Sequence, residues 1–298
     1  MKQVLITGGC GFLAAWIARR LVQRGIRLRL FDLNDTRETV LRIVGPTHAH
    51  LLEWQVGDIR QADQVQAAMQ GCDGVVHLAG VLTPTCSANP VLGAQVNLLG
   101  SLHVFDAALA HGVRQVVYAS SAGVYGPDHA DYPAPATHYG AFKLAVEGAA
   151  RAYWHTQGLA SVGFRPFIVY GPGRESGVSA GPSLACRAAA QGQPYVVGYT
   201  GAAGLVYVDD VAEAFAHALL VPAQGASVFN LVGQQYTVDA VIAEIRRQVP
   251  TAQLRAEGPP LTIAADVGEA GLDAWLPGRQ HTSLADGVAA TVAYYRAS

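Results

Sequence analysis

The chain has 298 residues, of which 51% are apolar and 14% charged, with a formal net charge of -2. That balance implies an extensive buried core and offers no cationic surface for nucleic acid, so the expected partners are small-molecule substrates. Four cysteines at positions 10, 72, 86 and 186 form neither a CxxC pair nor a metal-ligand spacing, so no metal is expected and they read as small buried hydrophobes in a reducing compartment.

An apolar strand, Val4 to Ile6, runs through Gly8-Gly9-Cys10-Gly11 into a helix reaching about Arg24. Gly8 permits a tight turn, Gly11 lets backbone approach a pyrophosphate, and the small Ala14 lets the helix pack close to the strand. The free N–H groups at the start of the helix would meet the phosphates. A second strand, Leu28 to Phe31, ends at Asp32, about 20 residues after Gly11, where an acidic residue meets the adenosine ribose of NAD. Because the first apolar run enters a glycine loop, it is unlike a signal peptide, and no apolar stretch of about 18 residues exists, so a cytoplasmic protein with no membrane contact is expected.

The alternation continues. A helix near Thr36 to Val44 stops at Gly45-Pro46, a strand at Leu51 to Val56 exits through Gly57-Asp58-Ile59, and a polar helix spans about Gln61 to Gln70. A fourth strand, Gly74 to Leu78, runs into Ala79-Gly80, and a helix near Pro90 to His111 leads to a fifth strand, Gln115 to Ala119. Strands separated by helices of this length imply right-handed crossovers, hence an α/β fold with a doubly wound parallel (Rossmann) sheet covered on both faces. A helix from His138 to about Thr156 precedes a sixth strand, Ser161 to Phe164.

Beyond Tyr170-Gly171-Pro172-Gly173 the rhythm breaks. Residues 171–204, with a helix near Ser183 to Gln191, and 236–298 are assigned to a smaller, irregular substrate lobe, and residues 1–170 and 205–235 to the dinucleotide-binding domain. Asp209 reads as the cap of a helix from Val211 to Leu220, and Ser227 to Leu231 as a returning strand. Helices near Val238 to Val249 and Leu284 to Tyr295 close the chain, and the tail is expected to help close the substrate cleft.

Tyr139 and Lys143 lie at i and i+4 on one helix face, where Lys⁺ can favour the phenolate that proton abstraction from an alcohol requires. A Tyr/Lys pair at this spacing is common on helix surfaces. Ser121 gives it meaning, since Ser120-Ser121 follow the fifth strand at the sheet edge where doubly wound folds bind ligands.

These residues resemble the extended short-chain dehydrogenase/reductase family, which contains NAD-dependent nucleotide-sugar epimerases and dehydratases. The resemblance rests on Thr7-Gly8-Gly9-Cys10-Gly11-Phe12-Leu13-Ala14, Asp32, Asp58-Ile59, His77-Leu78-Ala79-Gly80, Asn97, Ser120 to Gly126, Tyr139 to Lys143, Arg165-Pro166, Tyr170 to Gly173 and Tyr207-Val208-Asp209-Asp210. It implies Tyr139 as acid/base, Lys143 on the nicotinamide ribose, and Ser121 orienting the substrate oxygen. It further implies an NAD site built from Gly8, Gly11, Phe12, Leu13, Asp32, Asp58, Ile59, Leu78, Ala79, Gly80, Asn97, Tyr139, Lys143 and Pro166. A homodimer joined by the helices near Pro90 to His111 and His138 to Thr156 is implied as well.

Three departures bear on substrate. Ala203 and Gly204 stand where nucleotide-sugar members commonly carry Arg-Asp, the chain reads Arg165-Pro166-Phe167-Ile168 where sugar epimerases often have Asn after Arg-Tyr-Phe, and Ala122-Gly123 stand where dehydratases carry an Asp-Glu pair. The sequence therefore reads as an NAD-dependent oxidoreductase acting on a secondary alcohol or hemiacetal of a sugar or sugar acid, with Arg174 assigned to a substrate carboxylate and no nucleotide diphosphate on the substrate. The alternative is a (nucleotide-)sugar epimerase using transient oxidation at the same Ser/Tyr/Lys site. A non-catalytic dinucleotide sensor would have no use for Ser121, Tyr139 and Lys143 together.

Overall fold

The computed structural model describes residues 1–126, 132–260, 267–269 and 271–297. Its regular elements begin with β1 (Gln3–Thr7), α1 (Phe12–Val22), β2 (Arg27–Asp32), α2 (Glu38–Val44), β3 (Leu52–Val56), α3 (Ala62–Met69) and β4 (Gly74–His77). They continue with α4 (Thr83–Ala88), α5 (Pro90–Ala94), a turn of π-helix (Gln95–Leu99), α6 (Gly100–Ala110), β5 (Gln115–Ala119), α7 (His138–Gln157), β6 (Ala160–Pro166) and β7 (Ile168–Tyr170). The rest are α8 (Gly181–Ala190), β8 (Tyr195–Val197), β9 (Ala202–Tyr207), α9 (Val208–Leu220), β10 (Ala226–Leu231), β11 (Gln234–Thr237), α10 (Val238–Gln248), β12 (Leu254–Ala256), α11 (Leu272–Trp275) and α12 (Leu284–Arg296).

The chain divides into two compact units. The first comprises Met1–Tyr125, Tyr132–Arg165 and Ala212–Phe229, and the second includes Pro166–Val211 and the chain from Asn230 onward. A seven-stranded sheet runs in the order β10-β6-β5-β4-β1-β2-β3. Each neighbouring pair from β6 to β3 is parallel, and the order reverses beside β1, the position at which a doubly wound sheet opens a ligand crevice at its carboxyl edge. Leu5, Phe31, Val75, Val116 and Tyr118 fill one face of the sheet against Phe105, Ala108 and Val146. Phe105 meets Tyr118 edge-on at 5.9 Å and stacks on Tyr153 at 5.0 Å, both within the range of favourable ring pairs.

Several expectations shift. The single helix expected from Pro90 to His111 is interrupted by the π-helical turn, which carries Asn97. Helix α9 begins at Val208, so Asp209 and Asp210 occupy its first turn, where they complement the helix dipole, and Asp209 is not its cap. Residues 166–170, 205–211 and 230–235, expected in the dinucleotide-binding domain, group with the second unit, where β7 and β11 both pair with β9 in a three-stranded sheet, β11-β9-β7. Within that unit, α12 packs on α8 and α10. Among the described residues, no helix is long and apolar enough to cross a membrane.

Candidate active site

A short glycine connection leaves β1 at the carboxyl edge of the first unit's sheet. Gly8 turns the chain with φ 67°, and a Cβ there would lie 2.8 Å from the Ala79 nitrogen, so the loops leaving β1 and β4 touch backbone to backbone. Gly9 N–H donates to the Phe31 carbonyl at 3.1 Å, tying the loop to β2. Asp32 then receives Cys10 N–H on Oδ2 at 3.0 Å and Asn34 N–H on Oδ1 at 3.3 Å, which fixes its carboxylate beside the loop. Helix α1 starts at Gly11 with no side-chain cap and no acidic residue in its first turn. Its first N–H groups, at Phe12 and Leu13, thus meet no capping side chain, and a pyrophosphate suits that end of a helix. This donor set fits NAD.

Further along the edge, Asp58 accepts both the backbone and the guanidinium of Arg60, with Nε at 2.8 Å from Oδ2, and Arg60 holds its carboxyl below the usual carboxylate range. The Ile59 side chain is buried in the core against Gly100, leaving its backbone at the edge. Leu78 and Ala79 are half-buried and Gly80 is exposed. Asn97 is fully buried: Val81 N–H donates to its Oδ1 and its Nδ2 donates to the Val81 carbonyl, each at 2.8 Å. It therefore shapes the loop after β4 through both backbone groups of one residue.

The Thr137 hydroxyl caps α7 by accepting Gly140 N–H at 3.1 Å. A Cβ on Gly140 would overlap the Gly123 carbonyl oxygen, so only glycine lets the first turn of α7 lie on the turn at Ala122–Val124. That contact brings Tyr139 to Ser121: a point 3.3 Å from Ser121 Oγ, where a Cβ on Gly123 would stand, is 3.5 Å from Tyr139 Cδ1. Lys143 Nζ sits 5.8 Å from the centroid of the Tyr139 ring and donates to the Ala119 carbonyl at 2.7 Å. Burial pushes the Lys143 ammonium down to about 8, while Cys86 and Glu147 pull it back up.

A second set of residues, without a role from sequence, lies directly behind. Ser120 Oγ donates to Glu147 Oε1 at 2.5 Å, and Arg165 NH1 donates to the Tyr125 hydroxyl at 2.6 Å. Glu147 continues the series 139, 143, 147 along one face of α7, and extending the i+4 count by one step would have exposed it.

Pro166 and Arg174 belong to the second unit. The Arg174 guanidinium donates to the Val169 carbonyl and, at 2.8 Å, to Ser179 Oγ, so it anchors its own loop. Arg187 faces Glu175 at 3.8 Å, and Arg279 is held by Glu269 and, at 2.6 Å, by Asp273. At Gly204 a Cβ would overlap the Val232 carbonyl oxygen. Among the described residues no group of His, Cys, Asp and Glu could hold a metal ion.

A sequence profile described as the NAD dependent epimerase/dehydratase family matches residues 4–232. The chain belongs to the NAD-dependent epimerase/dehydratase family. Within it, the chain is similar to UDP-glucose 4-epimerase of Mycolicibacterium smegmatis, with 30% identity and 99% of this chain and 98% of that protein aligned. It is also similar to mouse 3 beta-hydroxysteroid dehydrogenase type 7, at 32% identity over 57% of this chain, and there the match spans about half (51%) of the relative's length. Among solved structures, the UDP-glucose 4-epimerase of Thermus thermophilus in complex with NAD superposes with a TM-score of 0.84 at 27% identity, covering 99% of each chain. Members of an NAD-dependent enzyme family need a cofactor crevice, and the seven-stranded sheet with its glycine loop supplies one.

Proposed function

We propose that the chain is an NAD-dependent sugar epimerase in which Tyr139 and Ser121 handle the proton of a secondary alcohol beside the nicotinamide. The observation that carries this reading is the convergence of Ser121, Tyr139 and buried Lys143 at one edge of the sheet, made possible by Gly140. Lys143 as an ammonium favours the Tyr139 phenolate, which takes the hydroxyl proton while Ser121 Oγ holds the same oxygen. When bound, NAD would accept the hydride of the alcohol carbon and give it back to the other face of the ketone, so that no net oxidation results. Tyr139 returns the proton to the same oxygen as that hydride comes back. The full-length likeness to an epimerase supports this over net dehydrogenation, the first reading from sequence.

Dehydrogenation of a sugar or sugar acid without a nucleotide is the second reading. Ala203 and Gly204 offer no phosphate clamp, and Val232 occupies the space an aspartate at 204 would need. The deciding experiment incubates the NAD-loaded protein with UDP-glucose, UDP-galactose, free sugars, uronates and aldonates, followed by proton NMR and by absorbance of reduced nicotinamide. Appearance of an epimer with no net absorbance supports the epimerase; stoichiometric reduced nicotinamide without an epimer replaces it with the dehydrogenase.

We infer a homodimer through α5, α6 and α7, because Val91 (68%) and Leu99 (47%) are exposed there and Ala141, Ala145 and Ala152 line the open face of α7. A cytoplasmic location is inferred from four cysteines that are all free thiols.

A further inference from the structure

His77, the last residue of β4, is buried at 2% exposure between two hydroxyls, and its cross-strand neighbour in β1 is Thr7. Thr7 Oγ1 lies 2.6 Å from His77 Nδ1, and Ser101 Oγ lies 2.8 Å from His77 Nε2. The direction of each bond follows from the other partners. Thr7 Oγ1 accepts the Ala79 N–H and, shared with the Thr7 carbonyl at 3.1 Å, the Leu78 N–H, both at 3.3 Å, which directs its own proton to Nδ1. Ser101 Oγ donates to the Asn97 carbonyl at 2.7 Å, a group that can only accept, so its oxygen receives a proton from Nε2. Only one tautomer of a neutral imidazole satisfies both ends, with the hydrogen on Nε2 and Nδ1 bare. Burial and the Lys143 charge hold the ring neutral, with its pKa lowered to about 3.

Thr7, His77 and Ser101 each donate to the next group, the last to the Asn97 carbonyl, and all four residues are nearly or wholly out of solvent, so the run is unbroken and points one way. One end is the residue before Gly8. The other is Asn97, whose amide grips Val81 and whose Oδ1 would stand 2.9 Å from a Cβ on Gly80; the same point is 3.7 Å from Lys143 Nζ. The run thus joins the glycine loop to the loop after β4, and both border the crevice.

We propose that His77, as the Nε2–H tautomer, is a positioning residue that makes the glycine loop and the Leu78–Val81 loop set as one piece around the cofactor. The proposal rests on the cofactor site described above, and NAD binding by the unmodified protein is its control: no binding there would remove the site itself, a failure distinct from those below.

The test has a spectroscopic arm and a binding arm. In protein labelled with ¹⁵N histidine, long-range proton–nitrogen correlation at pH 6 to 8 should give His77 as Nε2–H, assigned as the ring whose signals move in Thr7→Val. An Nδ1–H ring or an imidazolium at that position overturns the proposal, and this arm needs no variant to be active. In the second arm, Thr7→Val and Ser101→Ala should each weaken NAD binding about fivefold, the scale of one hydrogen bond. Because either change breaks the run, the double variant should bind no more weakly than the worse single one. Losses that multiply in the double variant, or singles with unchanged affinity, overturn it.

Discussion

Glu147 and Arg165 meet as a two-pronged ion pair, Nε to Oε1 at 2.8 Å and NH2 to Oε2 at 2.5 Å, with the Glu147 side chain entirely out of solvent. Ser120 supplies a third donor to the carboxylate, and the residue after it is Ser121. Glu147→Gln leaves a guanidinium in the interior without its counter-charge, which costs about 3 to 5 kcal/mol when one partner of a buried pair is removed. Urea unfolding should show a clear drop in midpoint. An unchanged midpoint would mean that the pair contributes nothing to the fold.

Tyr139→Phe should lower turnover by about two to four orders of magnitude, the loss typical of a general acid/base, while NAD still binds. Steady-state kinetics beside calorimetric titration of NAD separates the two effects. Retention of most activity would transfer the proton role to another group.

Lys143 sets a pH dependence with a definite sign. Its folded pKa of about 8 lies below that of the lysine in an unfolded chain. Between those two values the unfolded chain holds the extra proton, so this residue makes stability rise with pH across that window. Activity runs the other way. Loss of the ammonium above about pH 8 should give kcat/KM an alkaline limb there, since that parameter reports the free enzyme. A profile flat from pH 7 to 10 would contradict the burial-driven shift.

Asp32 ends β2 beside the glycine loop, its two oxygens held by the Cys10 and Asn34 N–H groups. It should accept ribose hydroxyls and repel a 2′-phosphate, giving a preference for NAD over NADP that Asp32→Ala narrows. Arg37 is engaged by Asp35 through two bonds, at 2.5 and 2.9 Å, and lies over the Trp54 ring, so it does little to soften that preference. Equal catalytic efficiency with both cofactors would refute it.

Gly204→Ala should destabilise the second unit by about 1 to 3 kcal/mol, the usual cost of overpacking, because the added methyl collides with the Val232 carbonyl. Thermal unfolding provides the measure, and a melting temperature equal to that of the parent protein would falsify the contact.

Local placement is legible in the sequence wherever one short stretch carries the whole signal. The turn at Gly8, Asp32 at the end of β2 and the shared face of Tyr139 and Lys143 on α7 all fall within a strand end or two helical turns. What stayed hidden depends on pairing between distant stretches. Arg165 and His77 stand in motifs of the family resemblance without a role of their own, and Glu147 carries no local signal, until α7 and β6 bring Glu147 to Arg165 and Thr7 and Ser101 flank His77. The π-helical turn at Gln95–Leu99 escapes because one extra residue per turn barely disturbs an alanine- and leucine-rich pattern. The three residues of β7 leave the main sheet for β9, a choice of partner that strand composition does not encode.

Only two lysines occur in the chain, Lys2 and Lys143. Lys2 is open to solvent, whereas Lys143 is 5% exposed beneath the Ala119 carbonyl. Amine-directed dyes, biotin or a solid support will therefore leave the crevice untouched and attach at Lys2 or the terminal amine. Acylation of Lys143 in a timed exposure would then report how often the first turns of α7 open, a clock for local breathing that needs no substrate.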